Sequence, residues 1–150
     1  MIDFTQEYIL ENERVVLSPL KNEHVDTLLH FAINEPELWD YSLIQANTPD
    51  KMKIYIEKAI LGRENKHSYP FIVFDKLANK YAGSTRFYDI QTDNSTLQLG
   101  FTWYGKDFQG TGLNKNCKYL LLEFAFETLK MERVEFRRSE EHTSEPPVTL

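Results

Sequence analysis

Cysteine is almost absent from this 150-residue chain, where Cys117 stands alone. One thiol excludes an internal disulfide and any metal site built from cysteines. In an apolar stripe it reads as a small core residue. None of the four histidines has a partner at metal-ligand spacing, so no metal is expected. No apolar run approaches the ~20 residues of a membrane-spanning helix. Met1-Ile2-Asp3-Phe4-Thr5-Gln6-Glu7 lacks the basic start and apolar core of a secretory signal, so a cytoplasmic protein with no membrane partner is expected. A basic excess is missing too. With 17 Lys and Arg against 23 Asp and Glu, the net charge is −6 and the two signs are mixed. That argues against nucleic-acid binding by charge, since neutralising phosphates requires a basic face. The acidic balance suits a cationic amine substrate and serves solubility equally well. Glycine and proline are sparse, six of each. The chain has the composition and length of one globular domain.

What is present is a clear alternation of periods. Residues 13–20 read as a short strand closed by Pro19. Residues 21–33 place Val25, Leu28, Leu29 and Ala32 at helical spacing, and Glu35-Pro36 ends that helix. A second helix opens at Thr48-Pro49-Asp50, an N-cap followed by proline at the first helical position. Its stripe is Met52, Tyr55, Ile56, Ala59 and Ile60, with Gly62 marking its end. Residues 68–75, 81–90 and 96–104 then read as three strands of an antiparallel meander, with Gly83 a candidate bulge or close approach. A long helix follows from Leu113 to about Lys130, and residues 132–137 form one more strand. The order β-α-α-β-β-β-α-β defines an α+β fold, an α/β sandwich with a mainly antiparallel sheet and flanking helices.

The chemically informative stretch is Trp103 to Lys115, WYGKDFQGTGLNK. A strand enters a glycine-containing loop that opens a long helix. The first turn of a helix leaves N–H groups without partners, and its dipole favours negative charge. Gly110 and Gly112 let an anion approach the backbone, which suits a pyrophosphate. The P-loop pattern G-x-x-x-x-G-K-[ST] does not occur. A dinucleotide fingerprint fails because its third glycine would fall at Lys115, outside any parallel βαβ unit. On these grounds alone, a glycine-rich connection with no ligand remains an equal reading.

Gln109-Gly110-Thr111-Gly112-Leu113-Asn114 resembles the Q/R-x-x-G-x-G/A motif of the GNAT superfamily of N-acetyltransferases. Gln109 and Gly112 match, and Asn114 stands where glycine or alanine is usual. Leu99-Gly100-Phe101-Thr102-Trp103 resembles the family's fourth strand, and the element order fits from first strand to fifth, over residues 8–137. The resemblance is to the RimJ/RimL-like, ribosomal-protein branch. It implies acetyl-CoA as cosubstrate, bound where the fourth and fifth strands splay apart. Gly110, Thr111, Gly112, Leu113, Asn114 and Lys115, with Gln109, would hold the pyrophosphate. Phe101, Thr102 and Trp103 would pair with the pantetheine arm through their backbone. A neutral primary amine, on a protein N-terminus or a small molecule, would attack directly. An α-amine with pKa near ~8 costs only about 1 kcal/mol to neutralise at pH 7, against about 4–5 for a lysine near ~10.4. No catalytic side chain is assigned. Gln98 occupies the strand position nearest the family's usual carboxylate, Asp89 reads as a turn cap, and Tyr88 and Tyr104 read as packing residues. A degenerate domain that binds acyl-CoA without catalysis stays open, as does a nucleotide-binding regulator. The sequence leaves the oligomeric state undetermined.

Residues 1–137 therefore read as an incomplete domain lacking a final helix and two strands, which in the family supply a cofactor-binding asparagine and often a tyrosine acid. Residues 138–150 are polar and aperiodic and carry Pro146-Pro147, so neither helix nor strand is expected there. Arg138 to Glu145 resembles the translation of a sequencing adapter, so the tail is expected to be disordered and foreign to the gene. Poor solubility and weak turnover follow from that expectation.

Overall fold

A computed structural model describes residues 1–42, 44–137 and 144–149. Among the described residues, seven strands form one sheet in sequential order. They are β1 (Leu10–Glu11), β2 (Val15–Pro19), β3 (Ser68–Asp75), β4 (Lys80–Gln91), β5 (Thr96–Tyr104), β6 (Arg133–Arg137) and β7 (Ser144–Thr149). Three α-helices accompany them: α1 (His24–Asn34), α2 (Pro49–Glu64) and α3 (Leu113–Glu123). The expected order is found, with a two-residue strand before it and another strand after it. Every strand pairing is antiparallel except β5 with β6, which is parallel and joined through α3.

Neighbouring residues on a strand point to opposite faces of the sheet. Arg86 meets the Tyr55 ring of α2, whereas Phe87 meets Phe71 and Phe124. The sheet is thus sandwiched between α1 and α2 on one face and α3 on the other. Tyr69, Phe71 and Phe87 are fully buried on the α3 side, and Tyr8 closes the cluster against Tyr69 and Phe124.

Local chemistry explains the borders. Thr48 caps α2 as expected, its hydroxyl accepting from the Lys51 N–H at 3.2 Å, with Pro49 at the first position. Gly62, however, does not end α2, which runs on to Glu64. A Cβ at Gly62 would collide with the Ser68 hydroxyl, so the glycine is a crossing point between helix and strand. Gly83 meets its expectation: it lies at the register shift between β3 and β4, and a Cβ there would strike the Trp103 carbonyl.

Two further expectations need correction. The long third helix is regular only to Glu123. Phe124–Thr128 continues as a π-turn, with the Leu129 N–H donating to the Phe124 carbonyl at 2.9 Å. The wider turn shifts the stripe by a residue and keeps Leu129 buried. The second concerns the C-terminal segment, where β7 pairs antiparallel with β6 although no strand was expected. Phe136 faces Glu145 and Val134 faces Val148. Pro146 and Pro147 therefore oppose Glu135 alone, in a bulge on an edge strand where no ladder N–H is required. The tail's remainder, residues 138–143 and Leu150, lies outside the described residues.

Candidate acyl-CoA site

The cleft begins with a parting of strands. β5 and β6 pair from Thr96 with Arg133 to Leu99 with Phe136, and no further. From Gly100 to Tyr104, β5 keeps its β4 partner but has no β6 partner among the described residues. A bulge marks the same place. Gly100 faces Arg86 and Trp103 faces Ser84, so Phe101 and Thr102 together oppose Thr85. Phe101 takes φ of 52°, and the extra residue resets the alternation beyond it. Phe101 consequently faces α2, where its ring meets Tyr88 at 4.9 Å and the Arg86 guanidinium at 4.2 Å. Its carbonyl accepts from the Tyr55 hydroxyl at 3.4 Å. Thr102 shares a 2.8 Å hydrogen bond with Thr85. The Trp103 side chain is committed to the core, packed on Phe31 and Trp39, so only its backbone borders the cleft.

After β5 the chain makes a 3-10 turn (Lys106–Phe108) and reaches the glycine loop. Gly110 and Gly112 have φ of 70° and 86°, and a Cβ at Gly110 would meet nothing within 4 Å. Carbonyls in and around the loop are tied back by side chains. Gln109 donates its side-chain amide to the Tyr104 carbonyl at 2.9 Å, and Thr111 its hydroxyl to that of Phe108 at 2.7 Å. Asn116 donates to the Gly112 carbonyl at 2.9 Å. Arg14 of the loop before β2 donates to the Thr111 carbonyl at 3.0 Å and to its hydroxyl at 3.1 Å. By contrast, among the described residues no backbone N–H from Gly110 through Lys115 donates a hydrogen bond. With those carbonyls engaged, the segment presents a row of donors at the positive end of the α3 dipole.

Three further residues shape this end. Leu113 is fully buried and anchors the loop, and Lys115 is exposed. Asn114, where the family motif has a small residue, accepts from the buried Tyr104 hydroxyl at 3.0 Å. Burial pushes the Tyr104 phenol well above its ordinary range, and the Cys117 thiol up to about 11. Neither gives up a proton at neutral pH. Arg14 in turn pairs with Asp75 at 3.2 Å. Burial pushes that carboxyl's pKa up, but the hydrogen bonds from Arg14 and from the N–H groups of Ala78 and Leu77 prevail and hold it below the usual range.

Of the residues weighed for proton transfer, Tyr88, Asp89 and Gln98 lie together on the Leu99 side of the bulge, and Tyr104 lies on its other side. Asp89 is exposed and accepts from the Gln98 amide at 2.8 Å and the Gln91 amide at 2.9 Å. It therefore holds two glutamine side chains and caps no turn. Gln98 is buried, and its Oε1 accepts no hydrogen bond. Arg14, Tyr55 and Arg86 were not anticipated from the sequence. Arg86 alone left a local trace, as the single charge within the strand run Tyr81 to Tyr88.

A mainly antiparallel sheet whose one parallel pair among the described residues splays beside a donor-rich helix N-terminus is an architecture able to receive an anionic ligand at the loop and an extended one along β5. The family comparison is more specific: the profile of the Acetyltransferase (GNAT) domain matches residues 14–145, and the chain belongs to that family. No curated protein sequence matches it. Among solved structures, a T. thermophilus protein assigned as an acetyltransferase is 29% identical with a TM-score of 0.73, over 91% of this chain and 68% of the other. A Salmonella typhimurium acetyltransferase that modifies the N-terminal serine of ribosomal protein L7/L12 is 20% identical, TM-score 0.72, over 86% and 74%. The microcin C7 self-immunity acetyltransferase MccE, solved with acetyl-CoA and AMP, is also 20% identical, TM-score 0.71, over 83% and 69%. The chain spans 66% and 61% of the length of two further matched structures, one of them a GCN5-related N-acetyltransferase from Brucella melitensis. Among the described residues, no helix is long and apolar enough to cross a membrane.

Proposed function

We propose that this chain carries the acetyl-CoA site of a cytoplasmic N-acetyltransferase that modifies a primary amine by direct attack. The observation that carries the reading is the run of unengaged N–H groups from Gly110 through Lys115, beside the strand edge left open after Leu99. Those residues fit acetyl-CoA, because the run offers several donors and Gly110 leaves room at the backbone. Gly110, Thr111, Gly112, Leu113, Asn114 and Lys115 would hold the pyrophosphate, on a loop shaped by Gln109. The β5 backbone from Phe101 to Trp103 would bind the pantetheine arm. When bound, acetyl-CoA supplies an acetyl thioester as electrophile.

The rest is the work of this chain's own groups. N–H groups on the open β5 edge are preorganised donors for charge that develops on an acyl oxygen, the contribution an oxyanion hole makes. The rings of Tyr55, Tyr88 and Phe101 line the α2 face of the sheet at the same level, around the Arg86 guanidinium. Asp89, the carboxylate that β5 engages through Gln98, already accepts from two side-chain amides. The arrangement therefore suits an acceptor whose amine is already substantially neutral, such as an α-amine. The Salmonella relative's protein N-terminus and small-molecule amines are the two acceptor classes to try first.

The test measures acetyl-CoA binding by calorimetry and free-thiol release with a panel of peptides and small amines. Binding with thiol release establishes the transferase. Binding without release for any amine selects the alternative, a domain that holds acyl-CoA without catalysis; the capture of Gln98 by Asp89 at the usual carboxylate position favours that alternative. Absence of acetyl-CoA binding rejects both.

A further inference from the structure

Resting on the transferase reading, we propose that Arg86 selects acceptors carrying an anionic group close to the reacting amine. Its guanidinium carbon lies 4.2 Å from the Phe101 ring centroid and 5.2 Å from that of Tyr55. Two rings thus fix a half-buried cation at the strand position facing Gly100, where β5 and β6 part. Arg14, Arg63 and Arg133 each pair with a carboxylate. Arg86 pairs with none among the described residues. A partly desolvated charge without a counter-ion is costly, and π-faces offset only part of that cost. A planar guanidinium held in one orientation is, however, ready for bidentate contact with a carboxylate or phosphate.

A second observation on the same sheet face completes the pattern. Gln98 faces Tyr88 across the β4–β5 ladder and so sits diagonally from Arg86, about 7–8 Å away as such neighbours are spaced. It is only 7% exposed. Its amide nitrogen is held by Asp89, yet its Oε1 has no donor. A fixed cation and an unsatisfied acceptor at that spacing match a molecule with an anionic group and an amine N–H a few bonds apart. An acidic side chain near a protein N-terminus and a small amino acid or amino phosphate share that chemistry.

The experiment compares kcat/KM, by thiol release, for two matched pairs of acceptors. One pair is a peptide with Glu or Gln at its second position. The other is a small ω-amino acid and its carboxamide. Wild type is expected to favour the anionic member about tenfold, the scale of one charge-assisted hydrogen bond. Arg86→Met should bring the ratio close to 1, and Arg86→Lys should leave it intermediate. Preference confined to the peptide pair identifies a protein acceptor, and preference confined to the small pair a metabolite-sized one. A wild-type ratio near 1, or one that survives in Arg86→Met, overturns the proposal while the transferase reading stands. If no amine releases thiol, the Arg86 side-chain N–H signal is followed by NMR during titration with the Glu and Gln peptides in the presence of CoA. A shift with the Glu peptide alone supports the site, and equal or absent shifts reject it. Should Arg86→Met fail to fold, the wild-type ratio and Arg86→Lys decide.

Discussion

Any side chain at Gly112 would have to adopt φ of 86°, where L-residues are strained by about 1–2 kcal/mol. Gly112→Ala should therefore lower unfolding stability by about 1 kcal/mol and weaken acetyl-CoA binding as well, because the strained turn aims the neighbouring N–H groups. Denaturant titration and calorimetry on the same variant separate the two losses. Arg14 acts on the loop from the other side. Arg14→Met leaves the Asp75 carboxylate, 4% exposed, without its cation and frees the Thr111 carbonyl. A loss of about 2–3 kcal/mol is expected, with acetyl-CoA affinity falling and Arg14→Lys recovering part of it. The pH dependence has two signed contributions. Asp75 is held below its ordinary pKa, so its stabilisation is present above about pH 4 and is lost as pH falls through the lower folded value. Cys117 is raised to about 11, so its contribution is complete below about pH 8.5 and disappears as pH climbs towards 11. Unfolding curves across both limbs should flatten on the acid side in Asp75→Asn and on the alkaline side in Cys117→Ala. The turn at Gly110 and the helix start after Gly112 were legible in the sequence because both are local. Arg14 was not, since 97 residues separate it from the Thr111 carbonyl it grips.

Among elements, α2 shows how far local rules reach. Its start at Thr48-Pro49 followed from capping chemistry, but its end was set by tertiary contact at Gly62, not by a glycine stop. Gly62→Ala gains helix propensity of about 1 kcal/mol and loses it to the Ser68 hydroxyl. The prediction is therefore non-additive. In a Ser68→Ala background the Gly62→Ala change should stabilise, and in the wild-type background it should not, as a double-mutant denaturation cycle would show. The meander β3–β4–β5 was readable from its alternating periods and polar turns, and its bulge at Gly83 from a glycine inside a strand. The bulge at Phe101 left no such local sign, because the residue is an ordinary strand former and not a glycine. The π-turn after α3 and strand β7 were equally hidden. Helical periodicity does not distinguish a five-residue hydrogen bond from a four-residue one, and two adjacent prolines argue against a strand until a bulge receives them.

At the scale of the molecule, β7 decides which edge the sheet exposes. With Ser144–Thr149 in place, β6 is an interior strand; without it, the backbone of β6 would be open to pairing with another chain. Deleting residues 144–150 should raise the rate of aggregation on heating, measured by light scattering, relative to the full chain. Equal rates would mean that β7 contributes no protection. The reading of residues 138–150 as foreign sequence remains a proposal, and resequencing the locus beyond the codon for Phe136 tests it.

The single parallel pairing has a consequence in time. β3, β4 and β5 are linked by short turns and pair through contacts close in sequence, whereas the β5–β6 pairing spans the whole of α3 and so closes a longer loop. Four residues of β5 then receive their last partner, Thr96 through Leu99. During synthesis the glycine loop thus leaves the ribosome roughly a helix ahead of the strand that gives the cleft its second wall. If the proposed site holds acetyl-CoA, the ligand should protect the finished chain from proteolysis and do little for nascent chains that stop short of Arg133.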